Sequence, residues 1–143
     1  AYSKSEYDGH ALLDYYFNVE EDQPFCQLCC DTMPFVNQKE EVFVEYVDLL
    51  SKRWADHVGV QLPVMTDLKL VLCPVCSEIY QQYIHKDVEA QKRLFSYLLE
   101  DHEDDFIICD REKRRDGKDN TLRFDQKHLD GIRVCLESLT LPD

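Results

Sequence analysis

Pro24-Phe25-Cys26-Gln27-Leu28-Cys29-Cys30 and, further along, Leu68-Lys69-Leu70-Val71-Leu72-Cys73-Pro74-Val75-Cys76 are the two stretches on which the fold turns. Each holds two cysteines separated by two residues, a spacing that lets both sulfurs of one turn reach a single ion. Two such pairs supply the four thiolates that zinc takes in a closed, tetrahedral structural site. The reading is therefore one structural zinc ion on Cys26, Cys29, Cys73 and Cys76. Phe25 and Leu72 lead into the pairs as apolar residues and suit turns docked on a core. Pro74 stiffens the second turn, and Leu28 is expected to cover the metal. Cys30 is an alternative to Cys29, but the two-residue spacing favours Cys29. A redox role for either pair would want a βαβ setting, which the flanking pattern does not offer.

The rest of the composition agrees with a metal-organised domain. The chain has 143 residues, 44% of them apolar, and seven cysteines. An odd cysteine count without an apolar leader at Ala1-Tyr2-Ser3-Lys4 points away from a disulfide framework and toward a reducing compartment. No apolar run approaches the roughly 20 residues of a membrane helix, so no membrane role is expected. The net charge is −13. Binding to nucleic acid requires a basic face against the phosphates, so the expected partners are proteins. Arg111-Glu112-Lys113-Arg114-Arg115 is a basic run, but acids flank it on both sides. It reads as a solvated loop and not as a nucleic-acid patch.

Working outward from the cysteines gives three segments: an acidic N-terminal extension at 1–24, a zinc-binding domain at 25–100 and a C-terminal extension at 101–143. In the first, Leu12, Leu13, Tyr16 and Phe17 fall on one helical face. Asn37, with Glu40 three residues on, has the form of a capping box. It predicts a helix carrying Phe43, Tyr46, Val47, Leu50 and Trp54 and stopping near His57, before Gly59. Val58 to Leu62 reads as extended. Ser77 is placed to cap a helix running unbroken to Glu100, about 36 Å long at 1.5 Å per residue. Beyond it, Phe106 to Cys109 and Thr121 to Phe124 read as two strands, and Gln126 to Leu139 as a last helix interrupted in propensity by Gly131. The fold class expected is α+β.

Candidate chemistry beyond the four ligands is sparse. His10, His57, His85, His102 and His128 lack any spacing that ties them to the cysteine pairs, and all are expected at the surface. Cys109 and Cys135 read as buried thiols. A His-x-Glu motif before Pro-Cys-x-x-Cys, as a zinc deaminase needs, is missing, as are a phosphate loop and a nucleophile elbow. The expectation is a protein that is not an enzyme.

Cys26-Gln27-Leu28-Cys29, a helix, Asp67-Leu68, Cys73-Pro74-Val75-Cys76 and then a long helix with Tyr83 resemble the zinc-finger-associated domain of insect C2H2 zinc-finger transcription factors, over residues 25–99. The resemblance implies a treble-clef-like zinc fold with a long C-terminal helix, homodimerisation through that helix, and a place in a nuclear transcription regulator or chromatin protein. The helix itself supports an interface, because its apolar positions spread wider than one docking face. Tyr83, Ile84, Val88 and Phe95 are the expected dimer contacts. The competing reading is an adaptor that binds a different protein through its acidic extensions.

Overall fold

The computed structural model describes residues 10–52, 54–55, 68–100 and 105–137. The expected extended stretch from Val58 to Leu62, and His57 and His102, lie outside those residues. A short helix α1 (His10–Leu13) leads into a two-stranded ladder, β1 (Phe17–Asn18) with β2 (Gln23–Pro24). The first cysteine turn follows directly. Next come β3 (Glu45–Asp48) and β4 (Lys69–Leu72), paired antiparallel with Tyr46 opposite Val71. Helix α2 (Pro74–Tyr80) begins at the end of β4 and runs into a wide π turn, Gln81–His85. Helix α3 (Val88–Leu99), the ladder of β5 (Phe106–Ile107) with β6 (Thr121–Leu122), and helix α4 (Gln126–Glu137) complete the chain. The protein is α+β: a cysteine knuckle, an antiparallel strand pair and a helix that starts on the second cysteine pair, with a further helix at the C-terminal end.

Over residues 37–48 the helix expected from Asn37 to His57 is replaced by a hairpin and a strand, whereas Lys52, Trp54 and Ala55 near its expected end are helical. Asn37 does cap, but locally: its Oδ1 accepts from the backbone N–H of Lys39 at 2.8 Å and of Glu41 at 3.1 Å. The turn is closed by Glu40 in the left-handed region, with φ 64°, and the chain returns to pair Val42 with Val36. Val42, Phe43, Val44, Tyr46 and Val47 are all β-branched or aromatic, and such residues suit a pleated, half-buried surface. β4 then offers a partner edge, and tertiary pairing overrides the helical spacing.

The helix expected from Ser77 to Glu100 is two helices. Cys73, not Ser77, is the N-cap, with Pro74 in the first helical position, where its missing N–H costs nothing. The π turn ends at Lys86, and Asp87 restarts the helix by accepting from Ala90 N–H at 3.1 Å. α3 buries Ala90, Gln91, Leu94, Phe95 and Leu98, one stripe at helical spacing. Arg133 from α4 donates to the carbonyls of Leu98 at 2.9 Å and Glu100 at 2.8 Å, so a cation satisfies the open C-terminal end of α3.

One core runs through all three expected segments. Leu12 and Tyr16 from the first, Leu28, Trp54, Leu70 and Tyr80 from the second, and Leu122, Ile132 and Leu136 from the third belong to the same buried cluster. The buried cluster thus spans the boundaries expected at 24 and 100. Phe17, expected beside Leu12 and Tyr16, instead lies exposed in β1.

Candidate metal centre

Backbone geometry prepares both cysteine turns. In the first, Cys26 N–H reaches the Asp31 carbonyl and Cys30 N–H the Cys26 carbonyl, each at 2.9 Å, and Cys30 takes φ 65° to close the loop. In the second, Ser77 N–H bonds the Cys73 carbonyl at 2.8 Å in the first turn of α2. The leading cysteine of each pair also accepts a backbone N–H on its sulfur: Leu28 N–H on Cys26 Sγ at 3.4 Å and Cys76 N–H on Cys73 Sγ at 3.5 Å. Such bonds favour the thiolate over the thiol.

These turns bring Cys26, Cys29, Cys73 and Cys76 together, with their Sγ atoms all within 4.8 Å of one another. That group is able to hold one metal ion. Cys26, Cys73 and Cys76 are buried and Cys29 is partly buried. Cys30 is exposed and stands outside the group, as its one-residue offset requires. Without a cation the four thiols compete for charge. Contact with Cys29 lowers the Cys26 thiol and contact with Cys26 lowers that of Cys73. The same contact with Cys26 pushes Cys29 and Cys76 up. Four sulfurs this close repel one another as anions, and all four become thiolates together only against a positive ion.

Gln27, between Cys26 and Cys29, ties the knuckle to the rest of the fold. Its N–H donates to the Val71 carbonyl at 2.9 Å, and its Oε1 accepts from Val71 N–H at 2.8 Å. Its Nε2 donates to the Arg123 carbonyl at 2.8 Å, and its own carbonyl accepts from Arg123 N–H at 3.2 Å. One residue therefore clamps the knuckle to β4, two residues before Cys73, and to the chain just after β6.

The basic run at 111–115 is not uniformly solvated. Arg111, Glu112, Lys113 and Arg115 are exposed, but Arg114 is only 5% exposed and its Nη1 donates to Cys76 Sγ at 3.0 Å. His128 corrects the expectation of surface histidines. It has no exposed surface, and its Nδ1 shares a 2.5 Å hydrogen bond with the Tyr16 hydroxyl. That hydroxyl also accepts from Asp125 N–H at 3.1 Å, and burial pushes its pKa up. His85 is partly buried, with Nε2 donating to the Asp48 carbonyl at 2.6 Å. Cys135 is buried and Cys109 half-buried, and neither belongs to the metal group.

The four expected dimer contacts divide. Ile84 has no exposed surface and Phe95 is 7% exposed, stacked on Trp54 with ring centres 5.3 Å apart. Val88 packs against the core, and Tyr83 alone stays exposed, at 37%. Ile84 lies within the π turn, and it and Phe95 belong to the chain's own core. No helix among the described residues is long and apolar enough to cross a membrane. Scans of family models, curated proteins and solved structures found no match to this chain.

Proposed function

We propose that the chain is a zinc-stabilised protein-interaction module, in which the metal is structural. The observation that carries this reading is the four-sulfur group, all within 4.8 Å. Zn–S bonds of about 2.3 Å in a tetrahedron place the sulfurs about 3.8 Å apart, within that spread. An all-thiolate shell favours zinc over hard cations such as magnesium or calcium, which prefer oxygen. Four thiolates fill the tetrahedron and leave no position for water or substrate, so the centre holds the fold and does no chemistry.

Protein partners suit the charge of −13, which opposes contact with phosphate backbones. A role in a nuclear regulator rests on the resemblance to the zinc-finger-associated domain. A homodimer of that kind would need a face other than Ile84 and Phe95, since the chain's own core occupies both. Titration of the reduced, metal-free chain with cobalt(II) tests the centre. One equivalent should give the intense visible bands of tetrahedral cobalt and the ultraviolet thiolate-to-cobalt charge transfer of four sulfurs, both erased by zinc. Weak octahedral bands, or saturation only beyond one equivalent, would overturn the reading.

A further inference from the structure

The segment from Asp110 to Arg123 lies against the cysteine group at several points. Arg114 makes the closest approach. Its side chain is 1% exposed, and Nη1 lies 3.0 Å from Cys76 Sγ. The same nitrogen donates to the Asp119 carbonyl at 2.9 Å. Nε and Nη2 form a fork on Asp116, at 2.8 and 3.1 Å. Four of the five guanidinium N–H groups are thus engaged, and the one directed at sulfur is fixed by the other three.

Neighbouring residues dock the same segment on the knuckle. Lys118 Nζ pairs with Asp31 Oδ2 at 2.9 Å, just past the first cysteine turn. Its ammonium is favoured first by Asp31 and also by the nearby sulfurs of Cys29 and Cys73. Arg123 Nη1 donates to the Leu28 carbonyl at 3.2 Å and approaches Cys30 Sγ at 3.2 Å. Asn120 holds the segment's two limbs together, with Nδ2 donating to the carbonyls of Cys109 at 3.4 Å and Asp110 at 3.3 Å.

The chemistry of the centre gives this arrangement a purpose. A divalent ion on four thiolates carries two net negative charges, in a chain already strongly acidic. Burying that charge requires a counter-charge and hydrogen bonds to sulfur. We propose that Arg114 is a positioning residue of the metal centre, neutralising and orienting the Cys76 thiolate, so that metal binding and docking of the Asp110–Arg123 segment are coupled. When the metal leaves, nothing holds the Cys76 sulfur in place against the guanidinium, and the segment is released. By reciprocity, a segment that docks poorly weakens the metal by the same factor.

The inference rests on the metal centre of the preceding section, and the experiment separates the two. Wild type, Arg114→Gln and Arg114→Lys are each loaded with zinc and titrated against a chromophoric chelator, and each is loaded in parallel with cobalt(II). Arg114→Gln should lose about 10- to 100-fold in zinc affinity, the range for outer-shell partners of ligands. Its thiolate-to-cobalt charge-transfer band should shift, because the N–H···S bond is gone. Arg114→Lys, which keeps the charge, should recover part of the affinity. Trypsin should cut zinc-loaded wild type slowly at Arg111, Lys113 and Arg115, and should cut the metal-free wild type and zinc-loaded Arg114→Gln quickly. An unchanged affinity and an unchanged cobalt spectrum in Arg114→Gln would overturn the inference while leaving the centre intact. Failure of wild type to give a tetrathiolate cobalt spectrum would overturn the centre itself. If Arg114→Gln does not fold even in excess zinc, the cobalt band of Arg114→Lys decides: an unshifted band refutes the role of the guanidinium.

Discussion

Gln27 engages its backbone and its side chain together, holding β4 on one side and the chain after β6 on the other, and it is 1% exposed. Replacing it by Leu keeps the volume and leaves Val71 N–H and the Arg123 carbonyl without their partner. Each orphaned buried group costs about 1–3 kcal/mol. Gln27→Leu should therefore lower the melting temperature of the zinc-loaded protein clearly, while Gln38→Leu, at an exposed position of the hairpin turn, should not. Scanning calorimetry on the two variants gives the answer. The four-cysteine group was legible because its signal is local: two sulfurs on one turn need only a spacing of three. Gln27 and Arg114 were not, because their partners lie 44, 96 and 38 residues away in sequence. Arg114 also sits among four exposed charged residues, so the composition of the run described its neighbours and missed the one side chain that turns inward.

Secondary structure followed the sequence best where the neighbours in space are also neighbours in the chain. The strands expected at Phe106 and Thr121 form and pair with each other. The helix from Gln126 forms despite Gly131, because Ile132, Cys135 and Leu136 are buried along it. The hairpin at Asn37 and the strand β3 were lost to a helical spacing that is real but is overruled by the edge of β4. The break at Asp87 had a signal, an acidic N-cap, that the long apolar pattern concealed. The π turn before the break places His85 against the Asp48 carbonyl. Burial pulls the pKa of that imidazole below its ordinary 6.5, outweighing the pull of Asp48 in the other direction. Between the folded value and 6.5 the unfolded chain binds more protons, so folding stability rises with pH there. Stability from this residue is fully present above about pH 6.5 and is lost as pH falls toward the folded value. His85→Gln should lose less stability than wild type between about pH 7.5 and about pH 5.5, with the chelated metal common to both chains. Equal losses in the two chains would mean that His85 is not the group responsible.

At the scale of the whole molecule, the core joins segments that composition had divided. The acidic lead-in contributes Leu12 and Tyr16, and the C-terminal region contributes Leu122, Ile132, Cys135 and Leu136. Tyr16 bonds both His128 and the backbone of Asp125, so the two ends of the described chain meet around one hydroxyl. A chain cut after Glu100 would lose that contact, the Arg133 cap on α3 and the guanidinium on Cys76 together. It should be far less protected in hydrogen exchange across α3 than the full chain, even in excess zinc. Equal protection would restore residues 25–100 as an independent unit. Ile84 and Phe95, expected at an interface, likewise belong to the protein's own interior.

Structural zinc in a small domain can contribute about 10–16 kcal/mol, more than the usual net stability of a domain of this size. If the cysteine group organises the fold, folding and metal content cannot be separated. Native mass spectrometry of the reduced chain, paired with circular dichroism of the same sample, addresses this directly. The account predicts one zinc ion per folded chain, lost together with helicity on chelation, and a Cys73→Ser variant that neither holds zinc nor folds. A metal-free chain with undiminished helicity would contradict it.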